Sequence, residues 1–238
     1  MTTTEEWRRT ASELAERLKG DTNVLAVALC PHIEPEPGEQ AAVPEMLVVV
    51  SKMPFDLDML GMKKVTAQGA DFKLFYATPE RLKVAIEDET GCWFTSGRIL
   101  YGETLFDRDG TLVDLRKAVN SISREKRVAA FQTWFKEAQA FPAIALQRRI
   151  TSLDEPDMIL LRDNAALARA LFLLNSKPPR IPESLIDDIM DLQRLPRGFQ
   201  AISDVLKGMD RLKLKKFEKA RKAYNSMMSD LKVIAKTF

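Results

Sequence analysis

GRILYGETLFDRDGTLVDLRKAV, residues 97–119, separates two halves of the chain that have different patterns. It holds two short apolar patches, Ile99–Tyr101 and Thr104–Phe106, and each is ended by a glycine or by a polar turn that contains one. Apolar residues three and four positions apart then predict a helix that begins near Thr111. The stretch therefore marks the point where short apolar segments give way to helical periodicity.

The half before this stretch alternates helix and strand. Apolar residues at helical spacing predict a helix from Thr4 to about Lys19, and Thr78 followed by Pro79 predicts another that ends near Asp88. Three apolar runs predict buried strands: Val24–Leu29, Met46–Val50 and Phe72–Tyr76. Residues 30–44 contain four prolines and no lysine or arginine. Because proline lacks the amide hydrogen that a helix needs, this connection is predicted to be a loop.

The half after Gly110 shows helical periodicity and no convincing strand. Helices are predicted at 111–138, 143–150, 157–175, 183–194, 199–207 and 210–237. The fold class predicted from this order is an α/β N-terminal domain at residues 1–115, followed by an all-α helical bundle domain at residues 116–238.

The composition excludes several kinds of site. The chain has 238 residues, 45% of them hydrophobic and 29% charged, as in a globular protein. Its apolar runs are shorter than the ~20 residues that span a bilayer, and the first residues lack the apolar core of a signal peptide, so a cytoplasmic protein is predicted. Because His32 is the only histidine, a multi-histidine metal site is excluded. Cys30 and Cys92 are too few for a disulfide framework and are predicted to fill core positions.

The order of helix, strand, connection, strand and strand, then GRILYGETLFDRDGTLVDL and a helical half, resembles the nucleotidyltransferase superfamily, in particular its minimal and antibiotic-modifying members. ALARALFLLNSKPP, residues 166–179, resembles the helical half of these proteins. The resemblance implies a small mixed sheet that carries the active site and a helical domain that helps to bind the acceptor.

The chain departs from the catalytic pattern of this family. The family uses a Gly-Ser turn after the first strand, an Asp-x-Asp pair at the second and a third carboxylate on a later strand, and these place two Mg²⁺ ions. Here Cys30-Pro31 stands at the turn, Val43-Pro44-Glu45 stands at the pair, and Asp71 is the candidate for the third carboxylate. The resemblance therefore implies a degraded site and a catalytically inactive protein. Such a protein would bind a ligand or a partner through the interdomain cleft or the helical domain.

Two alternatives remain open. One is a divergent enzyme that moves a nucleotidyl group from a nucleoside triphosphate to a hydroxyl, with Glu45 and Asp71 as catalytic metal ligands and with Mg²⁺ and the triphosphate as cofactors. The other is a nucleic-acid-binding module that uses a basic face of the last helix, formed by Arg211, Lys215, Lys219 and Lys222. The net charge of +2 is small, so nucleic-acid affinity would have to come from such a local patch. The partner can be a small molecule, a protein or nucleic acid, and a homodimer is also open.

Overall fold

A computed structural model describes residues 4–31, 43–54, 61–88, 93–151, 165–180, 188–189, 191–196 and 214–236. The chain divides into two compact units. Unit 1 is Met1–Ile122 with Pro178–Asp188, and unit 2 is Ser123–Lys177 with Ile189–Phe238. In unit 1 the elements are α1 (Thr4–Lys19), β1 (Val24–Leu29), β2 (Glu45–Val50), β3 (Met62–Ala67), β4 (Ala70–Ala77), α2 (Pro79–Glu87), α3 (Trp93–Tyr101), β5 (Glu103–Asp107) and α4 (Thr111–Asn120). In unit 2 they are α5 (Arg124–Thr151), α6 (Ala165–Asn175) and α7 (Leu214–Ala235).

Unit 1 is built on a five-stranded mixed sheet of order β3-β4-β2-β1-β5. Strands β2 and β4 are parallel, and the other neighbouring strands are antiparallel. The α/β prediction and its three buried strands are confirmed. The two edge strands were not predicted. The second apolar patch, Thr104–Phe106, forms the middle of β5, whereas the first, Ile99–Tyr101, is the end of α3.

Helices cover the two faces of the sheet unequally. Helix α1 packs on one face through its apolar residues, against side chains such as Val27, Val48 and Phe72. Helices α2, α3 and α4 pack on the other face, which we call the α3 face, against residues such as Ala28 and Leu47. Burial on both faces explains why β1, β2 and most of β4 read as continuous apolar runs in the sequence.

Residues 97–119 are held together by hydrogen bonds among themselves and to α1. The carboxylate of Asp107 accepts from the amide of Leu112 at 3.2 Å, which satisfies a free donor in the first turn of α4. The guanidinium of Arg116 donates to the carbonyl of Ile99 at 3.0 Å and to that of Gly102 at 2.6 Å, at the end of α3. Arg108 similarly donates to carbonyls at and after the end of α1, including Lys19 O at 3.1 Å.

The helices of unit 2 are only partly those predicted from the sequence. The prediction of a single helix at 111–138 is wrong, because α4 ends before Ser121 and α5 begins at Arg124. The side chain of Ser123 accepts from the amide of Lys126 at 3.2 Å, so it caps the start of α5. Helix α5 then continues to Thr151, where the sequence predicted a break before 143. Helix α7 agrees with the predicted segment 210–237.

In unit 2 an aromatic stack lies within α5, and a contact between an arginine and an aromatic ring joins α5 to α6. The rings of Phe131 and Phe135 stack with their centroids 5.6 Å apart, and the guanidinium carbon of Arg169 lies 4.1 Å from the centre of the Trp134 ring. The predicted helix at 199–207 and half of that at 183–194 lie outside the described residues. Of the other half, residues 188 and 189 are helical, whereas 191–194 are not, so the prediction is wrong for that end. The helical bundle and the predicted domains, 1–115 and 116–238, stay predictions. In the described parts of the chain, no helix combines the length and the apolar character that crossing a membrane requires.

Candidate functional site

Glu45, the first residue of β2, lies on the α3 face of the sheet and is bound by an arginine of α3. The Nε and Nη2 atoms of Arg98 lie 3.0 and 2.8 Å from the same carboxylate oxygen, Oε2 of Glu45. The two side chains are only 16% and 24% exposed, respectively. The guanidinium carbon of Arg98 also lies 5.3 Å from the centre of the Phe75 ring, which fixes its orientation further. The hydrogen bonds between Arg98 and Glu45 are charge-assisted, and such bonds are stronger than those between neutral groups.

A second cation faces the other oxygen of the same carboxylate. Lys73 of β4 stands directly beside Glu45 in the parallel β2–β4 pair, so both side chains lie on one face. Its Nζ atom is 3.8 Å from Oε1 of Glu45. Each carboxylate oxygen of Glu45 therefore has a positive partner within this site.

Asp71, the other predicted metal ligand, makes a different contact. It precedes Lys73 by two residues on β4, so it shares the α3 face but lies about 7 Å further along the strand. The hydroxyl of Thr66 on β3 donates to its Oδ1 atom at 2.6 Å. Among the described residues, no group of three or more His, Cys, Asp or Glu side chains is placed to hold a metal ion. A role for Glu45 and Asp71 as metal ligands stays a prediction.

Cys30, which follows β1, is hydrogen-bonded to the backbone of Glu45. Its amide donates to the carbonyl of Glu45 at 2.8 Å, and its side chain is buried among apolar residues of the α3 face. Burial raises the pKa of the Cys30 thiol to about 12; the nearby Arg98 opposes this shift, while Glu45 adds to it. The predicted core position is confirmed for Cys30, whereas Cys92 lies outside the described residues.

We predict that Cys30 resists alkylation in the folded protein. With a pKa of about 12, its thiolate fraction at pH 8 is lower by about three orders of magnitude than that of an ordinary cysteine. The measurement is the rate of iodoacetamide labelling in a Cys92→Ser variant, which leaves Cys30 as the only cysteine. The same variant unfolded in urea is the control. A native rate within about tenfold of the unfolded rate would contradict the buried, neutral thiol.

A further lysine extends the charged surface toward the edge of the sheet. Lys64 of β3 is the direct antiparallel partner of Lys73, and we call these two residues the lysine pair. Lys64 is exposed, and it forms no ion pair in the parts of the chain that the structure describes. Sequence reasoning missed Lys64 and Arg98. In ADFKLFYA the polar Asp71 and Lys73 alternate with apolar residues, and this alternation predicts that they share a face. No such local pattern pairs Lys73 with Lys64 or with Arg98.

The basic face predicted for the last helix is only partly described. Arg211 lies outside the described residues. Lys215, Lys219 and Lys222 fall within α7, and the side chain of Lys222 is exposed. Contact of these residues with nucleic acid stays a prediction. Residues 32–42 of the connection after β1, including His32, also lie outside the described residues.

No protein-family model and no curated protein matches the chain. One solved structure that does match is that of a nucleotidyltransferase-like protein from Exiguobacterium sibiricum 255-15. The two chains have 11% sequence identity and superpose with a TM-score of 0.43 over 97% of this chain and 75% of the other.

Proposed function

We propose that this chain is a nucleotidyltransferase-like protein that binds a ligand without metal-dependent catalysis. The observation that carries the proposal is the pair of hydrogen bonds from Arg98 to Glu45. Glu45 stands where the sequence resemblance places a metal-binding carboxylate, and a guanidinium occupies that carboxylate instead. The resemblance indicates a nucleotidyltransferase-like fold, whereas the ion pair argues against metal-dependent transfer of a nucleotidyl group.

Charge repulsion is the physical reason. A divalent ion bound to Glu45 would lie a few ångströms from Arg98 and Lys73, unless both side chains moved away. Two unit charges about 4 Å apart repel by about 4 kcal/mol at an effective dielectric constant of about 20, and a divalent ion doubles the charge on one side. Moving Arg98 away would also remove its two hydrogen bonds to the carboxylate. The arrangement therefore favours a metal-free site.

We predict that Glu45→Ala destabilises the protein by about 2 kcal/mol in buffer that contains EDTA. The substitution leaves the mostly buried guanidinium of Arg98 without its carboxylate partner. A metal-ligand role predicts the opposite, because removing a carboxylate from an empty metal site relieves repulsion. The measurement is the free energy of unfolding by urea for Glu45→Ala, Arg98→Ala and the double variant. We expect a coupling energy of about 1–2 kcal/mol.

Asp71→Ala is the matched control. It also removes a carboxylate from the α3 face, but this carboxylate is not hydrogen-bonded to Arg98. The substitution should cost about 1 kcal/mol at most, because only the hydrogen bond from Thr66 is lost. Two results would overturn the proposal in favour of the divergent enzyme. One is a gain in stability for Glu45→Ala in EDTA. The other is a rise in melting temperature with Mg²⁺ and a nucleoside triphosphate that Glu45→Ala abolishes.

A further inference from the structure

The lysine pair places two like charges at directly opposed positions of an antiparallel ladder. Lys64 and Lys73 are Cα partners in the β3–β4 pair, so their Cβ atoms lie about 5 Å apart on the α3 face. Like charges in this position lower the stability of a sheet. The β3–β4 hairpin fixes this register through its two-residue turn, because Gln68 and Gly69 have φ values of 50° and 79°. The backbone therefore places the two lysine side chains side by side on one face of the sheet.

Among the described residues, the charges on this part of the α3 face do not neutralise this pair. On this part of the α3 face, Lys64, Lys73 and Arg98 stand against the two carboxylates of Glu45 and Asp71, which leaves one positive charge in excess. Glu45 is hydrogen-bonded by Arg98 and also lies 3.8 Å from Nζ of Lys73, so one carboxylate serves two cations. Asp71 accepts the hydrogen bond of Thr66. Lys64 is exposed, and the side chain of Lys73 is 35% exposed, so solvent reaches both ammonium groups.

We infer that the lysine pair binds a small phosphate-bearing anion directly, without a bridging metal ion. This inference rests on the proposed function and names the class of ligand. A tetrahedral phosphate group offers oxygens in several directions, so two ammonium groups on neighbouring strands can each donate to a different oxygen. A bound dianion converts the repulsion between the two lysines into attraction of each for the ligand. Arg98 adds a third positive charge on the same face, and its hydrogen bonds to Oε2 offset part of the negative charge of Glu45 next to Lys73.

Pyrophosphate is the probe, added to the full-length ¹⁵N-labelled protein at low ionic strength in the presence of EDTA. We expect amide chemical-shift changes that cluster in residues 62–66 and 71–75 and that weaken as salt is added. Lys64→Gln should weaken binding about tenfold, which is the loss of about 1.4 kcal/mol. Lys63→Gln is the matched control, because it removes the same charge from the next residue of the same strand, whose side chain lies on the opposite face. Its affinity should change by less than about twofold.

The inference would be overturned if Lys64→Gln and Lys63→Gln weakened pyrophosphate binding equally. It would also be overturned if the amide chemical-shift changes fell elsewhere in the chain. A short single-stranded oligonucleotide that binds residues 62–66 more tightly than pyrophosphate would overturn it too, since it would assign the site to a nucleic-acid backbone. These outcomes are separate from the test of the proposed function. The Glu45 and Arg98 variants are compared without any anion, so the metal-free site can stand while anion binding fails. Binding of pyrophosphate that requires Mg²⁺ and Glu45 would contradict both.

Discussion

Gly97→Ala is expected to destabilise the protein by at least about 3 kcal/mol, although alanine is the better helix former. Gly97 lies within α3, where its replacement by alanine would by itself favour the helix by about 1 kcal/mol. A Cβ atom at this position, however, would lie 1.9 Å from the carbonyl oxygen of Pro179 and 3.1 Å from that of Arg180. Both are backbone atoms, so the overlap cannot be relieved by a side-chain rotation. Steric overlap therefore outweighs helix propensity.

The segment that meets Gly97, Pro178–Arg180, is itself held in place, and we call it the strap. The amide of Arg180 donates to the carboxylate of Asp188 at 2.7 Å, and its guanidinium donates to the same carboxylate. The side chain of Asp188 is only 6% exposed. Burial raises the pKa of Tyr101, at the end of α3, and the negative charge of Asp188 adds to this shift while Arg180 opposes it. Asp188 thus contacts the strap and lies near α3, which limits how far the strap can retreat.

The measurement is the free energy of unfolding by urea, together with hydrogen exchange at the amide of Arg180. Gly110→Ala is the control, because Gly110 has a φ of 71° but open space around its Cβ position. This control should cost about 1–2 kcal/mol from backbone strain alone. A loss for Gly97→Ala that is no larger than that of the control, with unchanged protection of the Arg180 amide, would contradict the close packing of the strap.

The sequence predicted the centre of the sheet well and its edges poorly. Strands β1 and β2 are buried on both faces and β4 is mostly buried, so each contains apolar residues that hydrophobicity alone identifies, although Lys73 interrupts those of β4. Strand β3, MKKVTA, is partly exposed and carries two consecutive lysines, which is the pattern of a protected edge strand rather than of a core strand. Its pairing depends on the turn at Gln68 and Gly69, and no periodicity in the strand itself reveals it.

The candidate site was half predictable for a related reason. Glu45 and Asp71 could be selected from the sequence as carboxylates at the starts of strands. Arg98 could not be assigned to Glu45, because 53 residues separate them and the contact depends on how α3 packs on the sheet. The nearness of Lys73 depends in turn on the parallel register of β2 and β4. Long-range register and helix packing are set by the whole unit, so they are not encoded in a local motif.

Arg116→Ala is expected to lower the free energy of unfolding by about 3 kcal/mol. The side chain is half-buried and donates to the carbonyls of Ile99 and Gly102, at 3.0 and 2.6 Å. Carbonyls at a helix end have no partner within the helix, and a cation there also complements the negative end of the helix dipole. Removing the guanidinium leaves these acceptors without a charged donor next to the buried Gly102, where water has little access.

Lys117→Ala is the matched control, because it removes a positive charge from the next residue of α4. Lys117 is exposed and pairs with Asp114 at 3.1 Å, so its loss should cost less than about 0.5 kcal/mol. Arg116→Lys should be nearly as harmful as Arg116→Ala, since a single ammonium group cannot reproduce two donors in the planar guanidinium arrangement. Urea unfolding of the three variants separates these cases. Full stability of Arg116→Lys would contradict this account. It would mean that a positive charge alone is sufficient, and that the two hydrogen bonds from the guanidinium to the end of α3 are not what joins α4 to that helix.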